Sequence, residues 1–90
     1  MPVDVEDLST YNLLCKIVIA LVDRTEEVRI TPTPRPEGVC FAITVGSGEV
    51  GKVIGKQGRT AQALRVIISA VGMQMRRRYS LDILPDQSSR

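Results

Sequence analysis

The chain lacks histidine and tryptophan and has few cysteines and aromatic residues: two cysteines, two tyrosines and one phenylalanine. Two thiols without histidine cannot supply the usual zinc ligand sets, so we expect neither a metal nor a cofactor. No carboxylate pair or activated nucleophile can be identified, which predicts that the protein is not an enzyme. Cys15 and Cys40 lie within apolar runs and are expected to be buried, reduced thiols of a cytoplasmic protein.

Long apolar runs are also missing. The longest, Ile17 to Val22, is much shorter than the ~20 residues of a membrane-spanning helix, and the acidic start lacks the basic flank of a signal peptide. We therefore expect no membrane association. Ninety residues suffice for one domain with a single core. We predict a flexible N-terminus over residues 1–7, one domain over 8–84 and a flexible tail over 85–90.

Charge is distributed unevenly along the chain, although the net charge is only +2. Residues 1–46 carry four basic and seven acidic side chains, whereas residues 47–79 carry seven basic and one acidic. A surface that binds an anionic partner is therefore expected in the second segment. The plain alternative is that these charges are solvated side chains on helix surfaces.

Hydrophobic periodicity predicts the first half of the fold. Apolar residues at three- and four-residue steps predict an amphipathic helix over 8–22, with Asp7 or Ser9 as its N-cap. Alternating residues 27–31 predict a short, half-buried strand. We expect the proline-rich segment 32–38 to be a loop, because proline has no N–H to donate to a strand pair.

The second half contains two further strands and a long helix. The apolar run 39–45 predicts a central strand, and the alternating residues 79–84 predict the last one. Between them a long helix starts at Thr60, in which Gly72 indicates close packing or a bend. Its predicted core stripe is Leu64, Ile67, Ile68, Val71 and Met75. With a short helix before the glycine-rich segment, the order α-β-β-α-α-β predicts an α+β fold, a three-stranded mixed sheet with helices on one face.

Five of the seven glycines lie in GSGEVGKVIGKQGRT, residues 46–60, which fits three phosphate-binding patterns. The dinucleotide pattern G-x-G-x-x-G that starts at Gly46 lacks the acidic residue expected about 20 positions later. The triphosphate pattern G-x-x-x-x-G-K ends at Lys52, and Val53 follows where serine or threonine should bind magnesium. The third pattern is the G-x-x-G of residues 55–58, which clamps a nucleic-acid backbone in KH domains.

The third pattern fits the sequence best. Glycines without a Cβ let a loop between two helices approach a phosphate and place the N-terminus of the second helix beside it. The predicted backbone-binding residues are Gly55, Lys56, Gln57 and Gly58 in the loop and the flanking Lys52 and Arg59. The predicted apolar groove for bases includes Val53, Ile54 and Leu64. The alternative for these aliphatic residues is ordinary core packing.

The few aromatic residues exclude other nucleic-acid-binding surfaces. RRM domains and oligonucleotide-binding barrels stack bases on exposed aromatic side chains. Here Phe41 lies in the most apolar strand and Tyr11 on the apolar face of the first helix. A nucleic-acid-binding protein with this sequence must therefore grip the backbone and use an aliphatic groove.

The segment VIGKQGR, residues 53–59, preceded by Gly51-Lys52 and followed by a helix, resembles the signature of KH domains. A helix and a strand placed before this core resemble the type II arrangement. With ALVD at 20–23 and EEV at 26–28, the chain resembles the KhpA family of small bacterial single-KH-domain RNA-binding proteins over about residues 8–84. The proline-rich segment 32–38 departs from the family pattern.

The resemblance implies a type II KH fold and a non-enzymatic protein that binds single-stranded RNA beside Gly55–Gly58, as an RNA chaperone or post-transcriptional regulator. It also implies pairing with a second copy or with a larger multi-domain RNA-binding protein that contains a KH domain. Since one such site grips about four nucleotides, a dimer would gain affinity through avidity.

The basic residues also suggest a function of a different class. In this alternative, the protein is an interaction or assembly module, and the glycine loop is only structural. Its long helix would dock an acidic surface through Arg76, Arg77 and Arg78. The plain alternative, which we favour for the arginines taken alone, is that their charge stabilises a helix C-terminus.

Overall fold

The computed structural model describes residues 5–85, with side chains from Asp7 onward. Three helices and three strands follow each other as Val5–Leu21 (α1), Arg29–Arg35 (β1), Gly38–Thr44 (β2), Val50–Ile54 (α2), Arg59–Met75 (α3) and Tyr79–Ile83 (β3). Single 3₁₀ turns cover Thr25–Glu27 and Lys56–Gly58. This confirms the predicted α-β-β-α-α-β order. The predicted flexible ends, apart from residues 5–7 and 85, lie outside the described residues.

The strands form one mixed sheet with β2 in its centre. β1 pairs with β2 in antiparallel register, from Arg29 opposite Thr44 to Arg35 opposite Gly38, whereas β3 runs parallel to β2. A parallel neighbour requires a crossover connection, and α2, the glycine loop and α3 provide it. The helices therefore lie on one face of the sheet and the loop lies at one end of it.

The proline-rich segment is a strand and not a loop, which corrects the prediction for residues 32–38. β1 continues through Pro32 and Pro34 to Arg35, and only Pro36 and Glu37 form the turn. β1 is an edge strand, and alternate residues of a strand point their backbone groups to the same side. Prolines two residues apart therefore remove N–H groups only from the free edge, where no partner strand needs them.

The first helix begins earlier than predicted. It starts at Val5, so Asp7 and Ser9 lie inside it and neither is its N-cap. Asp7 is buried, and its Oδ1 accepts hydrogen bonds from Arg77 Nε at 2.9 Å and from Tyr79 Oη at 2.6 Å. The prediction was wrong because the partners of Asp7 are about 70 residues away in the sequence, where no local pattern indicates them.

The core lies between the sheet and the helices. Its completely buried members are Leu14, Val18, Phe41, Ile43, Val53 and Ile68. The buried stripe of α3 consists of Ala61, Leu64, Ile68 and Gly72. The predicted stripe was wrong at Ile67, which is 44% exposed, and it omitted Ala61 and Gly72, although close packing was one of the two interpretations of Gly72. A Cβ at Gly72 would lie 2.6 Å from the carbonyl oxygen of Arg77, so this glycine permits close packing of α3 against the start of β3.

Candidate nucleic-acid interface

The glycine loop joins α2 to α3 through three residues with left-handed backbone torsions. α2 ends where the Gly55 N–H donates to the Gly51 carbonyl at 2.8 Å. Gly55 then has φ 80° and ψ 171°, a conformation almost restricted to glycine. Gln57 and Gly58 follow with φ 57° and φ 75°. These torsions reverse the chain within four residues, so that α3 starts directly beside the loop.

The two glycines of the loop are required for different reasons. A Cβ at Gly55 would lie 2.3 Å from Thr60 Oγ1, so the residue needs both its torsions and the space. A Cβ at Gly58 would meet no atom within 4 Å, so there only the torsion favours glycine. Gly55 is therefore packed against α3, whereas the Gly58 side of the loop is open to solvent.

The polar groups of the loop are suited to an anion. The side chains of Lys56, Gln57 and Arg59 are exposed. The first turn of α3 contains no acidic residue, and no side chain caps its N-terminus. Free N–H groups at the start of a 17-residue helix carry a partial positive charge. The loop thus combines two cationic side chains with a helix N-terminus, an arrangement that binds phosphate.

Lys52 lies in α2 and is exposed, but its ammonium group is already paired with two carboxylates. Its Nζ contacts Asp23 Oδ2 at 2.6 Å and Glu49 Oε2 at 3.2 Å. The hydrogen bond to Asp23, followed by the one to Glu49, raises the pKa of Lys52. Of the three predicted cationic contacts, Lys56 and Arg59 are therefore exposed beside the loop, and Lys52 is engaged within the protein.

Glu49 is the residue of this region that the sequence reasoning missed. Its side chain is 3% exposed, and it accepts the backbone N–H groups of Asp23 at 2.7 Å and Arg24 at 3.1 Å. The Asp23 N–H is the main cause that lowers the pKa of Glu49. A signal was present, because Glu49 is the one acidic residue between positions 47 and 79.

The structure separates the three aliphatic residues predicted for a base-binding groove. Val53 and Leu64 are buried, with 0% and 3% exposure, and belong to the hydrophobic core. Ile54 is 37% exposed and lies on the surface next to the loop. Val53 and Leu64 therefore lie in the core beneath the loop, and Ile54 is the one of the three whose side chain is accessible at the surface.

The three consecutive arginines do not lie on the long helix. α3 ends at Met75, and Arg76 has the left-handed torsion of a helix C-cap, with φ 59°. The Arg77 N–H donates to the Gly72 carbonyl at 2.7 Å, and its guanidinium group binds Asp7. The side chains of Arg76 and Arg78 are exposed. The run is thus part of a helix terminus and an ion pair, which weakens its interpretation as a docking surface.

Within residues 5–85, no cluster of cysteine, aspartate and glutamate is suited to hold a metal ion. No helix in that range has the length and apolar character needed to cross a membrane.

Comparison with known proteins identifies a family and named relatives of the chain. A family model described as "KhpA/KhpB, KH domain" matches residues 12–83. The chain is 44% identical over 73 residues to RNA-binding protein KhpA of Treponema pallidum. The aligned residues cover 81% of this chain and 91% of the relative. It is 39% identical over 73 residues to the protein of the same name from Listeria monocytogenes, covering 81% and 96%. No solved structure matches the chain.

Proposed function

Because the chain belongs to the KhpA/KhpB family of KH-domain proteins, we propose that it binds single-stranded RNA through the loop Gly55–Gly58. The observation that carries this proposal is the position of the loop. It lies against the uncapped N-terminus of α3, and Lys56, Gln57 and Arg59 surround it with exposed polar groups. An RNA backbone offers the phosphates that such a site binds.

The residues take different parts in the proposed binding. Gly55 and Gly58 let the phosphate chain approach the backbone. Lys56 and Arg59 supply charge-assisted contacts, and the Gln57 amide supplies neutral hydrogen bonds. Ile54 offers an apolar contact to an unstacked base. With two or three phosphates neutralised, the logarithm of affinity should fall with the logarithm of salt concentration with a slope of about −1.4 to −2.1.

Such a site is suited to bind RNA with modest affinity and little sequence preference. We propose that the protein acts in the cytoplasm as an RNA chaperone or post-transcriptional regulator and has no catalytic activity of its own. The relatives are named RNA-binding proteins, and both cysteines, Cys15 and Cys40, are free thiols. A backbone grip without aromatic stacking releases RNA readily, which is what a chaperone requires.

We further propose that the protein pairs, with a second copy or with a larger KH-containing RNA-binding protein. The outer face of α3 carries exposed apolar side chains, with Val66 at 58%, Ile67 at 44% and Met73 at 77% exposure. Exposed apolar side chains at helical spacing on one helix are typical of a surface that is covered by a partner. Sedimentation of the protein at micromolar concentration tests self-pairing, and Val66→Lys should lower the measured mass if this face is used.

The RNA-binding proposal is tested by fluorescence anisotropy with short labelled single-stranded RNAs over a salt series. The double variant Lys56→Asp and Gln57→Asp should lose on the order of tenfold or more in affinity, because it removes a charged and a neutral contact. The matched control Asn12→Asp and Lys16→Asp makes the same charge change on the exposed surface of α1. If both variants lose affinity equally, the loop is not the binding site.

A further inference from the structure

The buried carboxylate of Glu49 connects α2 to the chain segment that follows α1. One oxygen, Oε2, accepts the Asp23 N–H at 2.7 Å, and the other accepts the Arg24 N–H at 3.1 Å. The same Oε2 lies 3.2 Å from Lys52 Nζ, which also contacts the Asp23 carboxylate. A buried carboxylate with three donors is fully satisfied, and no buried side-chain polar atom within the described residues lacks a partner.

This connection matters because α2 cannot hold its own position. The helix has five residues, far fewer than the 12–15 or so that make an isolated helix even marginally stable. Inside the fold, Val53 is its buried residue. Its other four residues are exposed or half-buried, so packing alone fixes the rotation of this short helix only weakly. Glu49 precedes the helix and supplies a second fixed point, with hydrogen bonds that define direction as well as distance.

The orientation of α2 determines where the glycine loop lies. The Gly55 N–H closes the last turn of α2 on the Gly51 carbonyl, so the loop begins at a point that the helix axis sets. The five residues between Glu49 and Gly55 contain no flexible linker, because α2 occupies all of them, Val50–Ile54. A rotation of α2 would therefore displace Gly55 from its contact with Thr60.

We propose that Glu49 is a positioning residue of the RNA-binding loop, which fixes α2 through Asp23 and Arg24 and does not itself touch RNA. This inference rests on the proposed function of the loop. Lys52 contributes to the same anchor of α2, because its ammonium group forms ion pairs with both Glu49 and Asp23. Its charge then stabilises the anchor and does not neutralise an RNA phosphate.

A purely electrostatic effect of Glu49 and a positioning role of Glu49 predict opposite changes in RNA affinity when this residue is replaced. Removal of a negative charge from a protein that binds a polyanion should tighten RNA binding if only electrostatics counts. If Glu49 positions the loop, Glu49→Ala should weaken binding, because fewer molecules have the loop in its binding conformation. A fall of that population to about one tenth would weaken affinity about tenfold. The salt slope should stay the same, since the bound complex keeps all its phosphate contacts.

The test measures RNA affinity and salt slope for Glu49→Ala, Glu49→Gln and Lys52→Met, at a temperature where circular dichroism shows each variant folded. Glu26→Ala is the matched control, because it removes an exposed carboxylate from the turn that directly follows Asp23 and Arg24. We expect weaker binding by Glu49→Ala, with a smaller loss for Glu49→Gln, which keeps one acceptor oxygen and the shape. Lys52→Met should leave the slope unchanged. Tighter or equal binding by both Glu49 variants, or a slope reduced by about 0.7 in Lys52→Met, would overturn the inference.

A second readout separates this inference from the proposed function. The backbone amide resonances of Gly55 and Gly58 are recorded without RNA for wild type, Glu49→Gln and the control Glu26→Gln. Positioning predicts displaced or broadened loop resonances in Glu49→Gln alone. Unchanged loop resonances in that variant would contradict the inference even if the loop binds RNA. Displaced resonances in a protein that binds no RNA would contradict only the proposed function. If Glu49→Ala does not fold, Glu49→Gln decides both measurements.

Discussion

Glycine has three distinct uses within ten residues of this chain. Gly55 needs its torsions and its missing Cβ, because Thr60 occupies the space, whereas Gly58 needs only its torsion. Gly51 needs neither. It lies within α2, and a Cβ there would meet no atom within 4 Å. The spacing of the glycines in the sequence does not reveal these differences, since Gly51, Gly55 and Gly58 all belong to patterns that are compatible with phosphate binding.

Substitution of alanine at the two ends of α2 should therefore change stability in opposite directions. Gly51→Ala is expected to stabilise the protein by up to ~1 kcal/mol, because alanine loses less backbone entropy in a helix. Gly55→Ala is expected to destabilise it by about 2 kcal/mol or more, because it adds backbone strain to a clash with Thr60. Urea denaturation followed by circular dichroism measures both. Equal effects would show that the loop conformation is not held as described.

For single residues, the sequence predicted those properties that follow from membership of a local motif. The exposed polar surface of Lys56, Gln57 and Arg59 follows from their place in or beside the G-x-x-G pattern. The burial of Val53 and the ion pairs of Lys52 do not, because they depend on which side of α2 faces the core and on Asp23, which is 29 residues away. Residues with the same local spacing were thus divided by tertiary contacts.

The edge strand β1 has an unusual composition for a strand, because it contains two prolines. Its seven residues RITPTPR include two prolines, yet all seven pair with β2. Strands of this kind are tolerated only at a sheet edge, with the missing N–H groups on the free side. An unpaired row of N–H and C=O groups is a template for another strand, and prolines interrupt that row.

Replacing these prolines should make the edge available for pairing. The variant Pro32→Thr and Pro34→Thr restores two N–H donors on the free side, where threonine also favours strand conformation. We expect more self-association than wild type, measured by size-exclusion chromatography with light scattering over a concentration series. Pro36→Thr is the control, because Pro36 lies in the turn after the strand. An unchanged mass for the double variant would mean that another feature protects this edge.

The proline-rich segment 32–38 also shows why the low strand propensity of proline led to the wrong prediction of a loop. A proline-rich run predicts a loop because proline cannot donate to a strand pair. That rule holds for a strand with partners on both sides, and β1 has one partner. The apolar run of β2, by contrast, correctly predicted a central strand, since burial is visible in composition and edge position is not.

For the whole molecule, the polar group of Asp7, Arg77 and Tyr79 joins the first helix to the last strand. The carboxylate accepts two hydrogen bonds from the Arg77 guanidinium group and one from the Tyr79 hydroxyl. Burial and then the hydrogen bond to Asp7 raise the pKa of Tyr79, so its hydroxyl remains a donor. Phe41 packs edge to face on the Tyr79 ring at 5.4 Å between centroids, which ties the polar group to the core.

Removal of the charge on Asp7 should destabilise the whole fold. Asp7→Asn leaves the Arg77 charge without its carboxylate, and we expect a loss on the order of 2 kcal/mol, because Arg77 is partly exposed to solvent. Tyr79→Phe removes one hydrogen bond and should cost about 1 kcal/mol. Thermal and urea denaturation measure both variants. A double variant Asp7→Asn and Arg77→Met that is more stable than Asp7→Asn alone would support the pairing; additive losses would oppose it.

The same group has a consequence for the order of events during synthesis. Asp7 leaves the ribosome 70 residues before Arg77 and 72 before Tyr79. At about 5–20 residues per second this delay is roughly 4–14 s, during which α1 waits without the partners of its buried carboxylate. β2 waits similarly for β3, the strand beside it that is made last. The domain should therefore fold in one late step, after β3 has been translated, and the early chain is the part that a chaperone would meet.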